Sequence, residues 1–239
     1  MSQSVFLRAK WQDLILANYE IDPSVLRDLV PAGTELDIWE GKCYVSLVGF
    51  MFLQTRVKGV PIPFHQNFEE VNLRFYVKCP DDGAWKRGVV FVKELVPKTA
   101  IALVAQRVYN EPYEAVPMRH QIKEADGLRQ VAYEWKYAGK WNRLAVSARP
   151  TPVGFVPGSK AEFITEHYWG YTRKKDLRTA EYQVEHPAWE IYPVENWDIA
   201  CDAAQVYGPQ FADSLSQAPA SVFLAKGSDI LVRDGQLIA

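Results

Sequence analysis

The side chains best suited to chemistry lie on one run, Phe68 to Lys78. Strand alternation puts Glu69, Val71, Leu73, Phe75 and Val77 on one face. Phe68, Glu70, Asn72, Arg74, Tyr76 and Lys78 take the other. A face bearing Glu70, Asn72 and Arg74 either looks at water or lines the lumen of a barrel. In a lumen, a carboxylate and a guanidinium can orient a small polar ligand. Lys93 and Glu94 raise the same question, because each interrupts an apolar face and must reach solvent or a partner. For Lys93, snorkelling to water is the ordinary outcome. In the aromatic segment from His167 to Arg173, alternation groups His167, Trp169, Tyr171 and Arg173. These form either a ligand-facing row or a core face whose polar tips are hydrogen-bonded.

Other chemistries find little support. His65 and His186 are isolated, and no HExxH or similar spacing offers a metal site. There is no GxSxG elbow, and Cys43 and Cys79 have no His close in sequence. The 14 glycines form neither GxGxxG nor GxxxxGK[ST], so no cofactor is expected. Arg173-Lys174-Lys175 reads as a solvated turn.

The elements that must hold these residues are mostly strands. Alternation predicts them at Trp11 to Ile21, Lys42 to Val57, Phe68 to Lys78 and Gly88 to Val96. Further strands are expected at Tyr113 to Lys123, Leu128 to Tyr137, Trp141 to Arg149, His167 to Arg173, Ala180 to Glu185 and Trp189 to Pro193. The run Lys42 to Val57 is apolar on both faces, as in a strand buried on both sides. Asp22-Pro23 caps a short helix, Pro97 starts another through Ile101, Val104, Ala105 and Val108, and Ser159 caps a third to Thr165. A final small helix precedes a hairpin from Ser221 to Ile238. With short turns, no repeat and no βαβ rhythm, residues 1–239 read as a single domain. The fold class is mainly antiparallel β with a few short helices (α+β).

Composition bounds the function. Lys and Arg number 27 against 29 Asp and Glu, which argues against a nucleic-acid partner. Three widely spaced cysteines, Cys43, Cys79 and Cys201, suit isolated thiols in a reducing compartment. No signal-like segment and no long apolar run occur, so a cytoplasmic protein with no membrane partner is the expectation. Aromatics are abundant at 8 Trp, 12 Tyr and 11 Phe, whereas His numbers only 4. That balance suits an aromatic-lined β protein better than it names a reaction.

Several of these runs carry a resemblance. Lys42-Cys43-Tyr44-Val45-Ser46-Leu47-Val48-Gly49-Phe50, Phe68-Glu69-Glu70-Val71-Asn72-Leu73-Arg74-Phe75-Tyr76-Val77, Tyr109-Asn110-Glu111-Pro112-Tyr113, Glu166-His167-Tyr168-Trp169-Gly170-Tyr171 and Val184-Glu185-His186-Pro187 resemble the YqjF-like family of uncharacterised bacterial proteins. The resemblance covers nearly the whole chain and implies the acetoacetate-decarboxylase-like fold, a closed, cone-shaped β-barrel around a pocket. Decarboxylases of that superfamily form a Schiff base on a lysine whose pKa is lowered by an apolar pocket and a second lysine. Their motif, Arg and Tyr followed by Pro-Lys-Lys, falls on Arg107, Tyr109, Pro112, Tyr113 and Glu114, with one residue fewer between Arg and Tyr. Tyr113 and Glu114 thus stand in place of the lysine pair, while Glu70 matches the upstream Glu of the enzymes. Lys98 and Lys93 are the remaining candidates for the missing amine.

Three readings stay open. The first is a pocket protein that binds a small polar or carboxylated metabolite, with Glu70, Arg74 and Tyr113 orienting it and His167, Trp169 and Tyr171 as walls. The second is an enzyme of lyase, hydratase or isomerase type, with Glu70 or Glu94 as base and Tyr113 as acid. The third is a structural or interaction module. Homo-oligomer formation is equally open.

Overall fold

A computed structural model describes residues 3–99 and 112–238. The helix expected after Pro97, and the motif positions Arg107 and Tyr109, lie outside the described residues. Strands run in order as β1 (Val5–Glu20), β2 (Glu35–Leu36), β3 (Tyr44–Val57), β4 (Val60–Pro61), β5 (Phe68–Asp81) and β6 (Ala84–Val96). They continue as β7 (Tyr113–Ala115), β8 (Met118–Ala125), β9 (Leu128–Tyr137), β10 (Lys140–Ala148), β11 (Trp169–Arg173) and β12 (Thr179–Glu185). The last are β13 (Ile191–Tyr192), β14 (Val194–Ala200), β15 (Ser221–Arg233) and β16 (Gln236–Leu237). Short helices occupy Pro23–Leu26, Lys160–Thr165, Ala203–Val206 and Ala212–Ser216. Asp22 and Ser159 cap the first two through their side-chain oxygens, as their sequence positions indicate.

The strands form two sheets. The large one has the order β13-β15-β1-β3-β5-β6-β11-β12-β16 with β2, β4 and β7 attached at its margins. β12 also pairs with β15, through Val184↔Val232 and Glu185↔Leu231, so the path returns towards its start. The small sheet has the order β14-β10-β9-β8. Val45, Leu47, Val71, Leu73 and Phe75 on one face of the large sheet pack with Val131, Tyr133, Trp135, Leu144 and Val146 of the small one. The opposite face of the same strands is buried as well, among Leu14, Leu16, Val48, Phe50, Phe52 and Tyr76. Double burial is why β3 reads apolar on both faces from Tyr44 to Leu53, Ser46 excepted.

The sheets are pinned at Asp13. Its backbone φ of 54° interrupts β1, where the register with β3 shifts between Gln12 and Ile15. The buried carboxylate accepts Arg129 Nε at 2.8 Å and Nη2 at 2.9 Å, while the Tyr133 hydroxyl donates to the Asp13 carbonyl at 2.9 Å. Tyr133 lies directly on Gly49, where a Cβ would come within 2.8 Å of its ring.

Three expectations change. The strand expected at Tyr113 to Lys123 is broken at Val116-Pro117: β7 runs parallel to β6, and β8 joins the small sheet. Proline has no N–H to continue a ladder, so the chain leaves one sheet there and enters the other. Ser221 to Ile238 is not a hairpin, because β15 pairs with β1 and β16 with β12. β14 was not anticipated; its residues are mostly exposed and lack the apolar alternation that marks a strand.

Candidate functional site

The inner face of the large sheet surrounds a cavity of about 180 Å³. Its walls are chiefly aromatic and aliphatic, among them Trp11, Phe50, Phe52, Phe68, Phe91 and Trp189. Polar groups enter from a few adjacent strands. Glu70, Asn72 and Arg74 line it from alternate positions of β5 and are all buried. Of the two faces foreseen for this strand, neither looks at water. Asn72 is paired across β5 and β6 with Glu94, and Glu94 across β6 and β7 with Tyr113. Register alone therefore gathers two carboxylates, an amide and a phenol. A bulge in β6, where the pairing moves from Leu73↔Lys93 to Arg74↔Phe91, lets both Glu94 and Phe91 face inward despite their odd spacing.

Hydrogen bonds fix part of this group. The Tyr113 hydroxyl donates to Glu70 Oε2 at 3.1 Å, and Asn72 Nδ2 donates to Glu70 Oε1 at 2.9 Å. Arg74 is 8% exposed, and its Nη2 donates to the Ile164 carbonyl at 3.3 Å. Its Nε has no acceptor, and among the described residues no carboxylate lies within 4.0 Å of its guanidinium. Asn72 Oδ1 is likewise without a donor.

His167 and His186 complete the polar end. His167 sits in a ring of charge: Asp37 Oδ2 accepts Arg87 Nε at 2.6 Å and lies 3.2 Å from His167 Nε2. Burial, helped by the nearby Arg87 and Arg74, pushes the His167 pKa down to about 4 against the pull of Asp37. His186 is stacked on Trp189 at 4.1 Å, and its Nδ1–H donates to the Pro187 carbonyl at 2.9 Å. Burial lowers its pKa to about 4 as well. Both imidazoles are therefore neutral at ordinary pH. For Asp37, burial alone would raise the pKa, but hydrogen bonds from His167 and Arg87 prevail and hold it below its usual value.

Of the residues singled out in the sequence, Glu70, Arg74, Glu94, Tyr113, His167 and Trp169 line the cavity. Tyr171 does not: it packs in the core between the sheets, and its hydroxyl donates to Glu181 Oε2 at 3.1 Å. Gly170 takes the place on the cavity wall instead, because a Cβ there would strike the Tyr182 ring. No lysine lines the cavity among the described residues, and the sequence from 100 to 111 contains none. Lys93 points away, ion-paired with Glu114 at 3.2 Å and donating to the Tyr137 hydroxyl at 2.9 Å. Burial would lower its pKa, but these two partners raise it overall, the reverse of what an amine nucleophile needs. Lys98 donates to the Phe64 carbonyl. His186 was seen only as an isolated histidine, while Asp37 and Arg87, remote in sequence, gave no signal at all.

With the site's geometry in place, comparison with known proteins fixes the relationship. A family model for DUF2071, "Uncharacterized conserved protein", matches residues 8–229. The chain belongs to this family. YqjF of Bacillus subtilis (strain 168), also described as uncharacterized, is 28% identical over 192 residues, covering 79% of this chain and 76% of that one. Among solved structures, acetoacetate decarboxylase from Legionella pneumophila superposes with a TM-score of 0.65 at 12% identity, over 98% of this chain and 87% of that one. MppR, an enduracididine biosynthesis enzyme described as complexed with pyruvate, gives 0.66 at 12% identity, over 100% of this chain and 92% of that one. At such identities the likeness is one of fold: mostly β, acetoacetate-decarboxylase-like, with few short helices. Among the described residues no helix is long and apolar enough to cross a membrane.

Proposed function

We propose that this protein binds a small carboxylated metabolite in the cavity, with Arg74 as its counter-ion, and does so without Schiff-base chemistry. The observation that carries the reading is Arg74 itself. A buried guanidinium with no carboxylate beside it costs several kcal/mol, and a ligand carboxylate would offset that cost through charge-assisted hydrogen bonds. In this reading Glu70 and Tyr113, already hydrogen-bonded to each other, form a second polar contact, and His167 and Trp169 serve as walls. The reading takes residues 1–239 as one acetoacetate-decarboxylase-like domain. The return pairing of β12 on β15 supports a closed, cone-shaped barrel around the pocket. Pyruvate, bound by a structural neighbour, is a carboxylate of suitable size. That no lysine lines the cavity among the described residues, and that Lys93 is held protonated by Glu114 and Tyr137, supports the exclusion of an imine.

The test is a thermal-shift screen of small organic acids on the wild-type chain and on Arg74→Met. An acid at ~100 times its Kd should add about 2.7 kcal/mol of stability to the wild type. Arg74→Met should bind it at least about 100-fold more weakly, as expected for loss of a desolvated charge partner. Binding that survives Arg74→Met unchanged would overturn the assignment.

A second reading, acid–base catalysis on the same ligand, is favoured by the 3.1 Å hydrogen bond between Tyr113 and Glu70. Glu70→Gln separates the two. Turnover lost with binding kept supports catalysis, and equal loss of both supports binding alone.

A further inference from the structure

The polar end of the cavity offers an unusual set of groups: one cation and several lone pairs. Arg74 supplies the charge. Asn72 Oδ1 and His167 Nδ1 are buried with no hydrogen-bond partner. The His167 tautomer follows from its surroundings. A carboxylate oxygen of Asp37 lies 3.2 Å from Nε2, and that oxygen can only accept, so Nε2 carries the proton. The other tautomer, accepting from Arg87 Nη2 at 3.4 Å, would set a lone pair of Nε2 against the Asp37 oxygen. It would also bury an Nδ1–H with no acceptor. Nδ1 is therefore an acceptor. Its neighbourhood is shared with Arg74: the guanidinium lies 5.7 Å from the Tyr76 ring centroid and the imidazole 4.6 Å, so both pack on one aromatic ring.

We propose that the cavity selects a short-chain hydroxy acid over the oxo acid of the same carbon skeleton, its carboxylate on Arg74 and its hydroxyl donating to His167 Nδ1. This rests on the carboxylate reading above and narrows it. A keto oxygen would meet lone pairs at His167 and Asn72, whereas a hydroxyl supplies the proton they lack. An α-ammonium group would also supply protons, but it would stand beside the Arg74 guanidinium, and like charges at that range repel in a dry pocket. Neutral His167 supports the same choice, since a protonated ring would have turned Nδ1 into a donor.

Isothermal titration of the full chain with two pairs, lactate against pyruvate and 3-hydroxybutyrate against acetoacetate, tests the inference. The hydroxy acid of at least one pair should bind about 10-fold more tightly or better, the worth of one hydrogen bond gained and one repulsion avoided. Equal affinity within both pairs, preference for the oxo acids, or tighter binding of alanine titrated alongside lactate, overturns the selectivity and leaves the carboxylate reading standing. No binding by any of these acids counts against that reading, and the selectivity falls with it. His167→Phe should erase the preference while retaining the Arg74-dependent part of the affinity. Should that variant not fold, long-range ¹⁵N–¹H spectra of the wild-type imidazoles give an independent answer. Nε2–H on His167 supports the inference and Nδ1–H overturns it.

Discussion

At the scale of the residue, the two neutral histidines tie the site to stability. The ordinary histidine pKa is 6.5, and His167 and His186 are each held near 4 in the folded chain. Between those values the unfolded chain takes up protons that the folded chain refuses. The histidine contribution to stability should thus fall as pH drops from about 6.5 towards 4 and level off below. One such histidine changes stability by at most about 1.4 kcal/mol per pH unit. His120, raised first by its hydrogen bond to Glu69, has the opposite sign, but it is partly exposed and screened. Asp37 and Glu69, both lowered, begin to lose their contribution only at the acid end of this window, as pH nears the ordinary carboxylate range, and add to the fall there. Urea unfolding midpoints measured from pH 7 to 4.5 should fall, and His167→Phe should flatten the curve; an unchanged slope in the variant would refute the assignment. Much of this scale was legible in sequence, since alternation alone grouped Glu70, Asn72 and Arg74. Asp37 was not, because nothing local marks a carboxylate whose partners lie 50 and 130 residues away.

At the scale of the element, strand positions were readable but their partners were not. The parallel contact of β6 with β11 pairs Trp169 with Gly88 and Gly170 with Val89. Both glycines permit close approach: a Cβ at Gly88 would lie 2.6 Å from the Trp169 carbonyl oxygen and from the Tyr171 ring. Backbone cannot yield as a flexible side chain would, so Gly88→Ala should destabilise by about 1–3 kcal/mol. Trp169 and His167 would shift with it. Denaturant unfolding measures the first effect, and loss of acid binding disproportionate to the stability change would report the second. Alternation also failed at the β6 bulge, where one extra residue turns the faces over, and that is why Lys93 faces away from the cavity while Glu94 faces in.

At the scale of the whole molecule, the sequence announced a β protein but not its division into two sheets, because apolar alternation marks a buried face without saying what covers it. The Asp13–Arg129 pair between the sheets is the test of that architecture. Arg129→Met would leave the Asp13 carboxylate, 1% exposed, without its counter-ion. The expected cost is about 3–5 kcal/mol, and Asp13→Asn in the same chain should recover part of it. Chemical denaturation of the single and double variants measures both. The cavity has a bearing on the molecule beyond its ligand. The cavity of about 180 Å³ has no counterpart in the unfolded chain, and internal space that folding creates is what hydrostatic pressure acts on, so pressure favours the unfolded chain. On the carboxylate reading a bound acid would fill that space, so occupancy would set the pressure tolerance of the fold together with its thermal stability.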